Sequence, residues 1–393
     1  MRRVLPKDLT VALTLRVCRT PEEVTSLASD WRQLDEAAVA RSPFLTWEWL
    51  SAWWSHCRGA AEPAVIAAYD GATLVGAVPL VRRRRQYYRV PVIELAFMGD
   101  PASDRQFFLD RTADGSATDA IWQFLLTNPL RVHLLSLEQV PEESRTALRA
   151  AALADGPSLE VASRLPFIAI KEDWATFEKG LSRKFRSEMR TRPKVFEATG
   201  PWRLEHVRGA AAAAWVPRLA EVEVASHKME GNRAFLAAEA HRALLTEFAA
   251  ASSSSRVECI VSLLIVNEVV EAYLYGFIYD GKYHAYNMAF LSTLAKGSPG
   301  KYLMHETIHF VFDAGCREFD FLRGESYMKD KWDPALRANV RIVHFYPGLR
   351  SALLRWLVFR LRPAIKRWRE KRTEQPAAAA APPSSVDAAD GPS

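Results

Sequence analysis

Residues 257–301 read VECIVSLLIVNEVVEAYLYGFIYDGKYHAYNMAFLSTLAKGSPGK. Three apolar runs, 257–266, 269–279 and 283–290, are separated by Asn267-Glu268 and Asp280-Gly281. Asp-Gly between such runs signals a hairpin, because the tight turn needs positive φ at its centre. The stretch therefore predicts consecutive antiparallel strands. It closes on Lys296-Gly297-Ser298-Pro299-Gly300-Lys301, which opens a predicted helix over 301–315. Glycines allow a ligand close to the backbone, and a helix start offers unpaired N–H groups and a positive dipole end. Gly297, Ser298, Gly300 and Lys301 are thus candidates to hold a pyrophosphate; an ordinary strand-to-helix turn is the plainer reading. No GxxxxGK[ST] occurs, so an ATP-binding P-loop is not supported.

The same order appears upstream. A strand over 10–18 leads to a helix from Pro21 to about Ala40, with Thr20 and Glu23 spaced as a capping box. A Trp-rich helix spans 46–57, and strands at 64–69 and 73–81 flank Asp70-Gly71. Strands at 90–97 and 106–109, a helix over 116–127, a strand at 132–137 and a helix over 142–154 follow. In the second half a basic helical segment, 174–198, is interrupted or kinked at Pro193. A strand at 202–207, helices around 212–227 and 232–251, the strands already quoted, a strand at 318–322 and a last strand at 340–346 complete it. The two halves share one order: strand, helices, antiparallel strands, helix, strand. This predicts an α/β (α+β) protein of two related domains, 1–165 and 166–348, linked around 157–165; one continuous sheet is the alternative.

Charge sharpens the picture. The 393 residues carry 52 Lys+Arg and 46 Asp+Glu, a formal charge of +6. Nine of the bases and one acid lie in 349–372, and three acids and no base in 373–393, which leaves 43 bases and 42 acids over 1–348. The body is near neutral, so no specific nucleic-acid partner is expected. The four cysteines stand far apart, as buried thiols of a reducing compartment would. Lys7 and Asp8 interrupt any signal-peptide core, and no apolar run is long enough to span a bilayer. A cytoplasmic location follows as the expectation.

Two further segments carry candidate chemistry. FDFLRGESYMKDKW, residues 319–332, is a short apolar strand running into a dense polar loop. Asp320 and Glu325 are candidate bases, Tyr327 a candidate acid, and Lys329 a cation for a carbonyl oxygen or phosphate. A solvated loop with internal ion pairs is the competing reading. His305-Glu306-Thr307-Ile308-His309 is literally HExxH, the zinc-hydrolase helix pattern, with both histidines expected on the polar side. It lacks a third ligand on a second helix, so no metal is expected. The run Arg82–Arg85 suits phosphates or simply ends a strand in solvent.

Taken in order, the hairpin, the Ser-Pro-Gly helix start and FDFLRGE…K…W resemble the BioF2-like/CelD-type acetyltransferases. That family belongs to the GNAT superfamily and is related to the Fem-type aminoacyl transferases. Phe44–Trp49 with Trp53-Trp54, Leu74–Leu80, Leu181–Arg186 and Ser226-His227-Lys228 resemble further pieces of it. The resemblance implies tandem GNAT-like domains, each a mixed, mostly antiparallel sheet flanked by helices. It implies transfer of an acyl group, acetyl in the leading case, from acyl-CoA to an amine or hydroxyl by direct attack on the thioester. Backbone N–H groups near Tyr286 and Asn287 would polarise the thioester. Lys184, Arg186, Lys228 and Arg323 would contact the substrate, a small molecule, saccharide or envelope precursor. Aminoacyl-tRNA is the alternative donor; a zinc hydrolase and a non-catalytic membrane-associated assembly factor are the other readings.

Residues 349–362 have helical spacing, with Leu353, Leu354, Leu357 and Leu361 on one side and arginines on the other. That pattern suits an anionic membrane surface or docking on the protein's own body. The Ala- and Pro-rich 373–393 read as a disordered tail.

Overall fold

The structure, a computed structural model, describes residues 13–153, 156–226, 228–229, 234–324 and 328–357. The first half runs β1 (Thr14–Cys18), α1 (Pro21–Thr25), α2 (Ala28–Ala37), α3 (Trp47–Cys57), β2 (Glu62–Pro63), β3 (Val65–Asp70), β4 (Thr73–Val78), β5 (Leu80–Tyr87), β6 (Val90–Phe97), β7 (Leu109–Asp110), α4 (Ser116–Leu126), β8 (Leu134–Pro141), α5 (Arg145–Ala152) and β9 (Ser158–Ala169). The second runs α6 (Trp174–Gly180), α7 (Arg183–Glu197), β10 (Trp202–Arg208), α8 (Val216–Val224), α9 (Glu239–Ala250), β11 (Glu258–Val266), β12 (Val269–Tyr279), β13 (Lys282–Phe290), α10 (Pro299–Asp313), β14 (Glu318–Asp320), β15 (Ala335–Phe345) and α11 (Leu349–Trp356).

Each half builds an antiparallel run whose last strand pairs in parallel with the strand after a helix. In the second half β10, β11, β12 and β13 are antiparallel neighbours, and β13 pairs in parallel with β14 after α10. In the first, β1, β3 and β4 are antiparallel, the chain passes into β5 at Pro79, and β6 pairs in parallel with β8 after α4. The internal repetition expected from the sequence is present, and the fold is α/β with mostly antiparallel sheets flanked by helices.

The halves then exchange their last strands. β9, the end of the first half, pairs with β14 of the second. β15, the end of the second, pairs with β8 of the first and with β9. One sheet of eleven strands results, in the order β10-β11-β12-β13-β14-β9-β15-β8-β6-β5-β2. The stretch 157–165, expected as a link, therefore lies almost wholly in β9 near the middle of that sheet, and a division at 165/166 would cut a hydrogen-bonded strand. β9 hides this in sequence because most of its residues up to Arg164 are exposed or half-buried, so no apolar run announces it.

Smaller differences have local causes. The helix expected over 21–40 divides at Ser26–Leu27, while its capping box of Thr20 and Glu23 is present. The basic segment breaks at Leu181-Ser182, and α7 runs through Pro193. Arg82–Arg85 lie within β5, where Arg82 meets Glu62 at 2.8 Å and Arg83 meets Glu94 and Asp100 at 2.6 and 2.7 Å. The cysteines are unpaired, and all but Cys57 are buried.

A core shared by both halves closes the junction. Trp49 of α3 packs edge-on against Phe248 of α9 and Tyr286 of β13, at ring centroids 4.9 and 5.5 Å apart. Burying aromatic rings of this size contributes roughly 1.5–3 kcal/mol each. Beside this core Tyr279 of β12 donates its O–H to the carboxylate of Asp35 on α2, 2.6–2.7 Å from both oxygens. Burial pushes Asp35 up to about 6 from its ordinary 3.8, against the opposing hydrogen bond from Tyr279. A carboxyl raised in the folded state stabilises the fold only while it stays protonated. Its contribution should fade by up to about 3 kcal/mol as pH rises from about 4 to about 6. Asp35→Asn should flatten that part of the stability profile, as read by urea unfolding across this pH range.

Candidate functional site

The residues quoted first in the sequence form the frame of the site. β13 pairs with β14 only over Lys282–His284, because β14 stops at Asp320 while β13 continues to Phe290. Beyond His284 the two strands part, and the β14-side edge of β13 is left without a strand neighbour. On its other side β13 bulges against β12: Tyr275 faces Asn287 but Gly276 faces Ala285, which leaves Tyr286 as the extra residue. The bulge turns the side chains of Tyr286 and Asn287 the same way. A Cβ on Gly276 would lie 2.4 Å from the Tyr283 hydroxyl, so only glycine fits opposite this irregularity.

Tyr286 spends its side chain on the junction, donating its hydroxyl proton to the Ala102 carbonyl at 2.6 Å. Asn287 joins a buried polar chain. Its side-chain oxygen accepts from Lys228 Nζ at 2.7 Å, and its amide donates to the Tyr273 hydroxyl at 3.1 Å. Lys228 also meets the fully buried Glu223 of α8 at 2.9 Å. Lys228, a candidate substrate contact, is thus held in a protein network that fixes Asn287. His227 lies outside the described residues.

The helix start behaves as the sequence suggests. Ser298 sits at φ +48, in the left-handed region, and Pro299 opens α10 without a side-chain cap. The first-turn N–H groups of Gly300 and Lys301 therefore have no capping acceptor. A Cβ on Gly300 would fall 2.5 Å from the Phe290 ring, and one on Gly297 2.5 Å from the Phe196 ring, so the loop is pressed onto the end of β13 and onto α7. Lys301 is less available than expected. Its Nζ meets Glu188 of α7 at 2.6 Å, and Arg192 holds both Glu188 and the Lys296 carbonyl. Lys301 is thus committed to Glu188, and an anion at this helix start would meet backbone and dipole rather than a free ammonium.

The loop after β14 redistributes the candidate acids and bases. Asp320 is fully buried, ion-paired to Arg337, and accepts the Leu322 N–H at 2.9 Å. Burial alone would raise its pKa, but neighbouring His284 and Arg337 outweigh it and hold the carboxyl well below the usual range. Such a carboxylate is a poor proton acceptor, which weighs against its expected role as a base. Arg323 is likewise committed: it pairs with Asp104 of the first half and donates to the Pro101 carbonyl at 2.8 Å. It ties the loop to the junction instead of waiting for substrate. Glu325 and Tyr327 lie outside the described residues. Lys184 is exposed on α7, and Arg186 is half-buried beside it with its Nε buried and unpartnered.

Lys329 remains. Its Nζ donates to the carbonyls of Phe321 and Arg323, at 3.1 Å each. Burial lowers its pKa to about 8, against the raising influence of Asp320 and Asp104. An ammonium has three protons and an amine two, so the third position is where a proton can be lost or accepted. Lys329 is therefore the described residue of this loop that titrates near neutral pH.

The HExxH helix is put to another use. His305 is buried, contrary to its expected polar face, and packs against Trp174 and Phe185 while Trp332 donates its indole N–H to Nδ1 at 3.5 Å. Burial lowers its pKa to about 4. His309 stacks on Trp174 at 4.6 Å. Among the described residues no three His, Cys, Asp or Glu side chains gather as metal ligands.

Sequence reasoning missed Arg337, Asp104 and Glu223, each of which binds a residue that it had singled out. Arg337 and Asp104 reach the site from distant strands and loops, and no local pattern marks them.

The acetyltransferase (GNAT) domain family model matches residues 183–330. Among solved structures, FemX aligns with a TM-score of 0.56 at 10% identity, covering 84% of this chain and 98% of that one. A conserved protein of unknown function from Bacteroides thetaiotaomicron aligns at 0.54 and 11% identity, over 85% and 100%. L-PGS from Bacillus licheniformis aligns at 0.51 and 14% identity, over 86% and 96%. No curated protein matches the sequence. Residues 183–330 thus match a GNAT-type acetyltransferase domain, and the chain shares its fold with FemX and L-PGS.

Proposed function

We propose that this chain transfers an acyl group, acetyl in the leading case, from acyl-CoA to an amine or hydroxyl of a saccharide or cell-envelope precursor. The observation that carries the reading is the parting of β13 from β14, with the uncapped start of α10 against Phe290 at the end of β13. An anionic carrier fits that geometry: Gly297 and Gly300 let the loop seat against Phe196 and Phe290, and the first-turn amides of Gly300 and Lys301 have no side-chain cap. Acyl-CoA would supply the activated thioester. The chain's own part is to hold the carrier's phosphates at the α10 start, to offer backbone N–H groups at the Tyr286 bulge to the thioester oxygen, and to take the nucleophile's proton.

Lys329 suits the last task. Its two carbonyl partners retain the N–H bonds of the neutral amine, which leaves the lone pair directed elsewhere as a base. Transfer should then rise with pH and level off above about 8. Lys329→Met should lower the rate about 100-fold and remove that limb, with CoA affinity unchanged. A flat wild-type profile would reject the assignment.

Gly300→Val should push on Phe290 and block the helix start. We expect CoA affinity to fall at least about tenfold by calorimetry, with circular dichroism unaltered. Aminoacyl-tRNA is the competing donor. Transfer that needs aminoacyl-tRNA and is lost on ribonuclease treatment, with no CoA binding, would replace acyl-CoA in this scheme.

The end of the described chain supports a peripheral contact with an anionic membrane surface. α11 buries Ser351 and Leu354 yet leaves Leu349 92% exposed and Leu353 and Trp356 about half exposed, next to Arg350 and Arg355 in sequence. Apolar groups interleaved with arginines insert at a charged interface. No helix among the described residues is long and apolar enough to cross a membrane. The triple variant Leu349→Glu, Leu353→Glu and Trp356→Glu should lose sedimentation with phosphatidylglycerol vesicles and keep its acyl transfer to a soluble acceptor.

A further inference from the structure

The first half contains a cationic cleft that the acyl-transfer site does not use. A cavity of about 880 Å³ lies between the loop after β1, the end of α3, the edge strand β2 with its neighbour β5, and the turn before β8. Four arginines line it: Arg19, Arg58, Arg82 and Arg131. Its single acid, Glu62, is occupied by Arg82 at 2.8 Å. Arg58 lies over the Trp54 ring at 5.1 Å, which orients the guanidinium along one wall. The side chains of Arg19 and Arg131 make no hydrogen bond or ion pair among the described residues. A second cavity of about 540 Å³ shares Arg58, Glu62 and Arg82 and continues along β5 to Arg84 and to Asp100-Pro101.

Arg19, Arg58 and Arg131 are exposed around the cleft and Arg82 is half-buried, so the cleft presents positive potential and free donors to a ligand arriving from solvent. The planar donor fork of arginine matches phosphate oxygens in pairs. We propose that this cleft is a binding site for a phosphate ester or diphosphate, with Arg19, Arg58 and Arg131 as the principal ligands. Its far rim carries the Pro101 carbonyl that Arg323 grips from the loop after β14. A ligand seated by its phosphates in the first half would extend toward the loop that holds Lys329. The cleft would thereby select a phosphorylated acceptor; that role rests on the acyl-transfer reading, whereas anion binding does not.

The test is calorimetry of the full chain with inorganic pyrophosphate at constant ionic strength, with vesicles of phosphatidylglycerol as a second arm. Wild type should bind pyrophosphate at least ten times more tightly than sulfate. The double variant Arg58→Ala, Arg131→Ala should lose at least tenfold of that affinity while keeping its CoA affinity. Arg19→Glu, on a separate loop, should weaken pyrophosphate binding as well. Gly300→Val should leave it unchanged, which separates this cleft from the α10 start. Vesicle binding that depends on the same arginines, and that pyrophosphate competes away, would identify the source as a lipid headgroup; vesicle binding indifferent to them would leave a soluble phosphate ester. Pyrophosphate affinity no greater than for sulfate, or equal in wild type and the double variant, would overturn the proposal. Failure of acyl transfer with pyrophosphate binding intact would count against the catalytic reading alone.

Discussion

A β-strand cannot leave its edge amides unpaired in a protein interior, and this constraint shapes the whole molecule. Each half ends its parallel pair on a strand, β8 or β14, whose outer edge needs a partner. Each obtains it from the other half, through β15 and β9 respectively. Buried polar side chains hold the register at the crossing. Gln139 of β8 accepts from Ser163 of β9 at 2.6 Å and from Asn339 of β15 at 3.1 Å. A one-residue slip would break these bonds and turn every side chain of the strand to the opposite face.

The candidate site inherits its precision from that crossing. Arg337 belongs to β15, and only the exchange brings its guanidinium to Glu318 and Asp320 of β14. With Asp320 held as an ion pair, the short strand is fixed and the loop behind it starts from a defined point. Arg323 then bonds the loop to Asp104 of the first half. The parting of β13 from β14 is therefore braced from two sides. Lys329 hangs from two carbonyls, of Phe321 and Arg323, beside these braces.

How much of this the sequence disclosed follows from the range of each interaction. The Asp-Gly turns, the capping box at Thr20 and Glu23, and the strands β6, β11, β12 and β13 depend on neighbours within a few residues, and their patterns are plain. The helix start at Ser298-Pro299-Gly300 was legible for the same reason. β9 was not, because half of its surface faces water and its partners lie at 318–320 and 335–343. The partners of Asp320, Arg323 and Lys228 were not legible, because charge in a loop looks available until its distant partner is known. Asn287 and Tyr286 were singled out for their backbone, and the bulge there is the one irregularity of β13 that a resemblance, but no periodicity, pointed to.

The crossing also orders events during synthesis. The first half, up to Ala152, leaves the ribosome with β8 lacking its outer neighbour, and β9 has no second-half strand to join. β9 gains its first such partner at 318–320, but the vacancy beside β8 persists until residues 335–345, nearly two hundred positions later, have been made. Contacts so distant in sequence form late and slowly, and an exposed strand edge is the usual place for a nascent chain to join a second copy of itself. A ribosome-bound chain halted before Ala335 is thus not a small version of this protein; it is an open sheet awaiting its last strand.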